Sequence, residues 1–263
     1  MTAMATTSTG LGASFAQMIG PKSGSASPTR ARLQIIALIY PNMVLLDLLG
    51  PHTVFNLMNA GVHLVAKDRT PVATDVGYSI APTTTLAESP ASCDILFVPG
   101  GLEGTTALMD DPDVIDFLVT RGSQSRFVTS VCTGSLLLGA AGLLRGYAAT
   151  SHWSVRDFLA LMGATVKTDR VVKDRNRVTG GGVTAGIDFG LELAHELRGE
   201  EYARAIQLAL EYNPKPPFAA GTPQEAGGVL TQKVLELRGV AITAAKEAAK
   251  RAGTRLMEPR ASK

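Results

Sequence analysis

The chain has 263 residues and a formal charge of +2, from 25 Lys and Arg against 23 Asp and Glu. Eight of the basic residues and two of the acids lie in residues 1–30 and 246–263. Residues 31–245 therefore carry 17 basic and 21 acidic side chains, a net charge of −4. Such an acidic body argues against a partner made of nucleic acid, which requires clustered basic side chains. No apolar run approaches the roughly 20 residues needed to cross a bilayer, so we expect no membrane-spanning segment.

Three segments are predicted along the chain. Residues 1–30 are rich in Ser, Thr, Gly and Ala and are expected to be a disordered extension or the remnant of an export signal. Residues 31–222 are predicted to form an α/β domain, and residues 223–263 a helical segment that packs on this domain or on a partner. Two cysteines, Cys93 and Cys132, are too few for a disulfide framework. We therefore expect a cytoplasmic protein, or a periplasmic one if residues 1–30 derive from an export signal.

Apolar runs that read as buried strands alternate with segments that have helical spacing. This alternation predicts a mostly parallel sheet sandwiched between helices. In chain order the predicted elements are strand Leu33–Ile39, helix Leu45–Ala60 with Gly61 as its C-cap, strands Val62–Ala66 and Ile95–Val98, helix Asp113–Arg121, strand Phe127–Val131, helix Gly134–Ala141, strand Tyr147–Thr150, helix Trp153–Met162 ended by Gly163, a hairpin of Thr165–Val172 and Val178–Thr179, helices Thr184–Leu197 and Glu200–Tyr212, and a mostly helical Pro223–Arg255.

Cys132 is the strongest candidate for a catalytic residue. It lies between a buried strand and a helix, in the sequence Ser130-Val131-Cys132-Thr133-Gly134, with small residues two before and two after it. This pattern is typical of a nucleophile elbow, in which a sharp turn presents the nucleophile at a helix N-terminus. The helix dipole and free N–H groups are expected to lower the pKa of the thiol. Cys93 opens a strand without a following helix and is interpreted as a packing residue.

Other candidate site residues follow neighbouring strands. In a parallel sheet, ligands bind beyond the carboxyl ends of the strands, which places Asp47, the Pro99-Gly100-Gly101 turn and Cys132 at one edge. Gly100 and Gly101 could direct backbone N–H groups into the cleft, as an oxyanion hole does. Asp47, a lone acid among leucines, is either a general acid or base or an ordinary helix-start residue. His152 could orient a partner or relay a proton, although a structural role is favoured.

These residues resemble the ThiJ/PfpI superfamily, whose fold is like that of class I glutamine amidotransferases and is flavodoxin-like. The matching pieces are Phe97-Val98-Pro99-Gly100-Gly101, Ser130-Val131-Cys132-Thr133-Gly134-Ser135, Ala149-Thr150-Ser151-His152-Trp153 and the helix start Thr184-Ala185-Gly186-Ile187-Asp188. The resemblance covers roughly residues 31–235. It implies an amidotransferase-like α/β domain with a cysteine nucleophile elbow.

Asp47 after the first strand and Thr133 after the cysteine are similar to the isocyanide (isonitrile) hydratase branch, as is Pro216–Pro223. That resemblance implies hydration of R–N≡C to a formamide through a thioimidate on Cys132, with Asp47 as acid and base. It also implies that Thr133, Gly100 and Gly101 assist, that no metal or organic cofactor takes part, and that a homodimer acts on a small uncharged substrate. The alternatives are a glyoxalase or deglycase activity, and a non-catalytic, redox-sensing amidotransferase-like domain whose cysteine oxidises readily.

Overall fold

The computed structural model describes residues 32–258, so the predicted extension at residues 1–30 lies outside the described residues. Its centre is a seven-stranded sheet in the order β10-β11-β7-β6-β1-β2-β5. All neighbouring strands of this sheet run parallel except the β10–β11 hairpin. The strands are β1 (Gln34–Leu38), β2 (Gly61–Ala66), β3 (Val72–Ala73), β4 (Ser79–Ile80), β5 (Thr84–Thr85), β6 (Cys93–Val98), β7 (Ser125–Val131), β8 (Ala148–Ala149), β9 (Thr165–Val166), β10 (Val171–Asp174) and β11 (Arg177–Gly180).

Helices pack on the sheet in two groups that form its outer layers. One group contains α1, α5 and α6, and the other contains α2, α3, α4, α8 and a 3₁₀-helix. Their bounds are α1 (Leu45–Leu57), α2 (Leu102–Leu108), α3 (Pro112–Ser123), α4 (Gly134–Ala140), the 3₁₀-helix (Arg156–Met162), α5 (Ala185–Arg198), α6 (Glu200–Ala209), α7 (Pro223–Leu237) and α8 (Gly239–Met257). The predicted α/β sandwich is confirmed.

The sequence patterns correctly placed the strands that form the centre of the sheet. Strand β1 is buried along almost its whole length, as its continuous apolar run predicted. Aromatic rings pack between the sheet and its helices. Phe97 on β6 makes an edge-on contact with Phe55 of α1 and stacks on Phe189 of α5. Because apolar side chains fill both faces, the polar groups that follow β1, β6 and β7 are confined to the edge of the sheet.

Three predicted elements were wrong in detail, and one helix was missed. The predicted hairpin strand Thr165–Val172 is divided into β9, which pairs with β8 in a separate two-stranded sheet, and β10, which forms the hairpin with β11. The helix expected at Leu45–Ala60 ends at Leu57, because Asn59 adopts a left-handed conformation with φ 56° and stops it; Gly61 opens β2 and does not act as a cap. The predicted helix Trp153–Met162 is a shorter 3₁₀-helix, although Gly163 does end it in a left-handed conformation. Helix α2 was missed because it follows directly on the Pro-Gly-Gly turn.

The C-terminal segment consists of two helices with different environments. Helix α8 packs on α2, α4 and the 3₁₀-helix through small residues. Gly253 shows how close this packing is, because a Cβ there would stand 2.2 Å from the carbonyl oxygen of Leu161. Helix α7, in contrast, has no buried residue in the described chain. No helix within residues 32–258 is long and apolar enough to pass through a bilayer.

Candidate active site

The turn at Cys132, between β7 and α4, forces this residue into a left-handed conformation with φ 56°. Such a backbone costs of order 1–3 kcal/mol for a residue other than glycine and must be held by its surroundings. The Cys132 N–H donates to the carbonyl oxygens of Gly181 at 2.8 Å and Gly180 at 3.1 Å. The Cys132 carbonyl accepts hydrogen bonds from the hydroxyls of Ser151 at 2.9 Å and Ser135 at 3.2 Å. The elbow is therefore fixed through both of its peptide groups.

Gly134 shows why this turn requires a small residue after the cysteine. A Cβ at Gly134 would stand 2.2 Å from the carbonyl oxygen of Val98 and 2.6 Å from that of Pro99. Real side chains do not tolerate such contacts with backbone atoms. Helix α4 can therefore start directly against the end of β6 only because its first residue has no side chain.

Asp47 lies in the first turn of α1 and is fully buried. Its Oδ2 accepts the Gly100 N–H at 3.0 Å, whereas its buried Oδ1 receives no hydrogen bond of ordinary geometry from residues 32–258. Burial raises the pKa of Asp47 to about 7, with a further rise from the charge of Asp75; the Cys132 thiol and the Gly100 N–H moderate the increase. A carboxyl with this pKa can both donate and accept a proton near neutral pH.

Gly100 lies between the carboxyl group and the cysteine. A Cβ at Gly100 would be 2.5 Å from Asp47 Oδ2 and 2.7 Å from Cys132 Cβ. Its neighbour Gly101 has φ 146°, and a Cβ there would be 2.4 Å from the carbonyl oxygen of Asn42. Because Gly100 has no side chain, Asp47 and Cys132 can both pack against the backbone of the Pro-Gly-Gly turn.

The expectation that the elbow lowers the pKa of Cys132 is wrong for this site. Burial raises the pKa of the thiol well above its ordinary value, and the nearby Asp47 adds to the increase. The Thr133 N–H and the more distant Arg238 act in the opposite direction but do not compensate. Helix α4 has only seven residues, and the cysteine is almost completely buried, so desolvation outweighs the helix terminus.

The expected oxyanion hole also differs from the structure. The Gly100 N–H donates to Asp47, and the Gly101 N–H donates to Thr133 Oγ1 at 2.8 Å. Both glycine N–H groups are therefore engaged within the protein. They hold the carboxyl group and the Thr133 hydroxyl in place, and they are not free to bind an intermediate.

His152 does not hydrogen bond to Cys132, Asp47 or Thr133 within the described chain. Its Nδ1 lies 2.8 Å from Ser154 Oγ and accepts the Ser154 N–H at 3.3 Å. Burial, with a smaller effect from Arg238, lowers its pKa to about 4, so the ring is neutral near neutral pH. Its neighbour Ser151, which the sequence patterns did not single out, is the residue that reaches the elbow.

Arg238 is a second residue that sequence reasoning missed. It lies between α7 and α8, and its guanidinium is 4.0 Å from Glu103 of α2. Its positive charge acts to lower the pKa of both Cys132 and His152. It borders a cavity of about 560 Å³ that reaches Gly101 and is also lined by Asn42, Val44, Leu46, Asp75, Val76, Leu102, Glu103 and Val183. Five of the ten lining residues have apolar side chains and three are charged, so the cavity offers both kinds of contact to a small molecule.

The described part of the chain brings no three His, Cys, Asp or Glu side chains together in a group that could hold a metal ion. The site is instead defined by a thiol, a carboxyl group and a hydroxyl at the edge of a parallel sheet. This combination can support nucleophilic addition with proton transfer.

Comparison with known proteins assigns the chain to a family. Residues 34–196 match the model of the DJ-1/PfpI family, and the chain belongs to that family. It is 46% identical over 225 residues to the isonitrile hydratase of Pseudomonas putida, across 85% of this chain and 98% of that protein. The crystal structure of a ThiJ/PfpI family protein from Pseudomonas syringae matches with a TM-score of 0.81 and 45% identity, covering 88% of this chain and 98% of that one.

More distant relatives share the fold. The Drosophila melanogaster protein DJ-1alpha is 30% identical over 159 residues, or 60% of this chain and 71% of that protein. The crystal structure of Drosophila DJ-1beta matches with a TM-score of 0.62 and 24% identity, over 68% of this chain and 98% of that one. The similarity to the hydratase therefore extends further along the chain than the similarity to these DJ-1 proteins.

Proposed function

We propose that the protein is an isocyanide hydratase, which adds water to R–N≡C and releases an N-substituted formamide. The observation that carries the proposal is the pairing of Asp47 and Cys132 across Gly100, with one carboxyl oxygen left without a hydrogen bond among the described residues. Identity to an isonitrile hydratase over nearly the whole of that protein supports the same substrate class. The proposed reaction uses only water and side chains of the protein, so we expect it to proceed without a metal or an organic cofactor.

The first half of the reaction forms a thioimidate. Asp47 and Cys132 share one proton, which moves from Sγ to the carboxylate as the sulfur attacks the terminal carbon of the isocyanide. An S–C bond forms, and the same carbon then receives the proton from Asp47. The product is Cys132–S–CH=N–R, and Asp47 is again a carboxylate. Because burial raises the pKa of Cys132, the sulfur needs Asp47 to accept its proton during the attack.

The second half hydrolyses the thioimidate. Asp47 removes a proton from a water molecule as the oxygen bonds to the thioimidate carbon. Asp47 then delivers this proton to the nitrogen, which gives Cys132–S–CH(OH)–NH–R and restores the carboxylate. The C–S bond then breaks as the hydroxyl becomes a carbonyl, and its proton returns to the thiol through Asp47. The products are R–NH–CHO and the original cysteine, so all atoms balance.

The experiment is to incubate the purified protein with alkyl and aryl isocyanides and to measure isocyanide loss and formamide appearance. The expected result is turnover by the native protein and a loss of at least about 1000-fold in Cys132→Ala. Cys93→Ala is the matched control, because Cys93 is buried at the start of β6 and contacts Ser125, far along the strand from the site edge. Inactivity of the native protein towards every isocyanide would overturn the proposal.

The structure gives no support to the redox-sensing alternative. That alternative requires an exposed cysteine with a low pKa, and Cys132 is only 4% exposed, with its pKa raised by burial. The glyoxalase or deglycase alternative is tested by including methylglyoxal in the same assay. We expect no turnover of methylglyoxal.

We further propose that the protein is a cytoplasmic homodimer. Both of its cysteines are free thiols in the structure, which suits a reducing compartment. Helix α7 has no buried residue, yet Val229 and Leu237 are exposed on it and Val240 is exposed at the start of α8. A second copy of the chain would cover these apolar side chains.

A further inference from the structure

Three buried hydroxyl groups connect the two peptide groups that flank Gly100. The Gly101 N–H donates to Thr133 Oγ1 at 2.8 Å, and Thr133 Oγ1 lies 2.9 Å from Thr105 Oγ1. Thr105 Oγ1 lies 3.2 Å from the Tyr40 hydroxyl, which is 2.5 Å from the carbonyl oxygen of Pro99. All three hydroxyl-bearing residues are buried. Only Thr133 belongs to the predicted site, and the other two come from β1's end and from α2.

The direction of each hydrogen bond among these three hydroxyl groups follows from the Pro99 carbonyl at one end of the series. The Pro99 carbonyl can only accept, so the single proton of Tyr40 points to it. The contact between Tyr40 and Thr105 must then use the proton of Thr105, and the contact between Thr105 and Thr133 must use the proton of Thr133. Each hydroxyl thereby donates once and accepts once, which satisfies all three in a buried environment.

We propose that Thr105 and Tyr40 are positioning residues that commit the proton of the Thr133 hydroxyl away from the substrate and clamp the Pro-Gly-Gly turn to the elbow. The proposal deepens the proposed function and rests on it for the identity of the reaction. Thr133 is then an anchor for the Gly101 N–H and not a proton donor to the isocyanide.

The clamp, formed by the hydroxyl groups of Tyr40, Thr105 and Thr133, acts at the turn that separates Asp47 from Cys132. Its two ends are Pro99 and Gly101, and the N–H of Gly100 between them holds Asp47. The hydroxyl bonded to the Gly101 end belongs to Thr133, the residue that follows Cys132 directly in the sequence. Because a Cβ at Gly100 would already touch both Asp47 and Cys132, a small shift of this turn changes the distance across which their proton moves.

The test removes the Thr105 hydroxyl without changing its shape. For Thr105→Val we expect kcat for isocyanide hydration to fall about tenfold with KM little changed, and Thr105→Ser should restore it. Thr106→Val is the matched control, because the Thr106 hydroxyl donates to the Leu102 carbonyl within the same helix and is not one of the three linked hydroxyl groups. If the Thr133 hydroxyl donated to substrate instead, Thr105→Val would free that proton, and unchanged or increased kcat would overturn the proposal.

A second measurement does not depend on hydratase activity. The thiolate absorbance of Cys132 can be titrated in each variant as the difference from Cys132→Ser. Thr105→Val and Tyr40→Phe should both move this titration, because each breaks the clamp beside the sulfur, whereas Thr106→Val should not. Identical titrations in the native protein and Thr105→Val would overturn the proposal. A native protein without hydratase activity but with a shifted Thr105→Val titration would overturn the proposed function alone.

Discussion

Asp75, in the turn between β3 and β4, accepts the N–H of Leu45 on its Oδ1 at 2.9 Å and so caps the helix that carries Asp47. The cap places a negative charge beside the first turn, where it raises the pKa of Asp47 further than burial alone does. One carboxylate that stabilises the helix start therefore also holds the candidate catalytic acid near neutrality.

This relationship predicts an acid limb in the activity profile. The reaction needs a pair that holds one proton, so kcat/KM should rise as the pH increases through about 7, where Asp47 loses its proton. At alkaline pH, kcat/KM should fall again, because Cys132 then loses the proton that the pair needs. Initial rates of isocyanide hydration across this range measure both limbs.

Asp75→Asn provides the control, because the amide oxygen can still accept the Leu45 N–H while the charge is removed. The acid limb should move to lower pH in this variant. An acid limb that stays in place would show that Asp75 does not act on Asp47 electrostatically.

Asp47→Asn should stabilise the fold in a pH-dependent manner. The pKa of Asp47 rises from 3.8 to about 7 on folding, so its contribution to stability is complete below about pH 4 and is lost as the pH increases to 7. The variant avoids this loss, and its advantage should reach an upper limit of about 4 kcal/mol above pH 7. Denaturant unfolding at several pH values measures it.

Asp157→Asn is the matched control for this measurement, since Asp157 is exposed on the 3₁₀-helix. Above pH 7 the advantage of Asp47→Asn should exceed any effect of this surface substitution. An Asp47→Asn advantage that is equal at acidic and alkaline pH would contradict the assignment of a raised pKa.

Gly100→Ala should damage both activity and stability. The added methyl group would overlap Asp47 and Cys132, so we expect kcat/KM to fall about 100-fold and the free energy of unfolding to fall by about 1–3 kcal/mol. In Gly221→Ala, the new methyl group would meet only Glu225 at 3.8 Å, and both quantities should stay near native values. Steady-state kinetics and thermal melts compare the two variants, and native-like activity in Gly100→Ala would refute the packing argument.

Leu237→Glu should dissociate the proposed homodimer. Leu237 is 85% exposed at the end of α7, and Val240, next to it in α8, is 90% exposed, so a charge there would be buried by a second copy. Leu208→Glu is the control, because Leu208 is 81% exposed but lies on α6. Light scattering should show a dimer for the native protein and the control, and a monomer for Leu237→Glu. A native protein that is monomeric would refute the proposal.

The sequence was sufficient to assemble most of the site, because parallel strands end at one edge of the sheet. Once β1, β6 and β7 were identified, Asp47, Gly100 and Cys132 had to lie near each other. The small residue at Gly134 could likewise be predicted from the geometry of the turn. These inferences depend only on local pattern and on strand direction.

Other features of the site could not be predicted because they depend on which groups face each other after packing. The pKa of Cys132 is raised by burial and by the charge of Asp47. Hydrophobic periodicity in the sequence does not indicate how completely one sulfur atom is removed from solvent. Thr105 and Tyr40 carry no sequence signal for a shared network, since each is an ordinary residue in its own element. Arg238 borders the cavity beside Gly101 from a helix junction more than 100 residues along the chain from Cys132.

The position of helix α8 has a consequence for biosynthesis. The ribosome adds residues 239–257 after every strand of the described sheet, yet this helix covers α2 and α4, the two helices that begin beside the Pro-Gly-Gly turn and the elbow. Its face of Ala245, Ala248, Ala249 and Ala252 is fully buried there. A nascent chain that has completed its sheet therefore still exposes the backs of both helices, and the surroundings of Cys132 are completed only after helix α8 has been added.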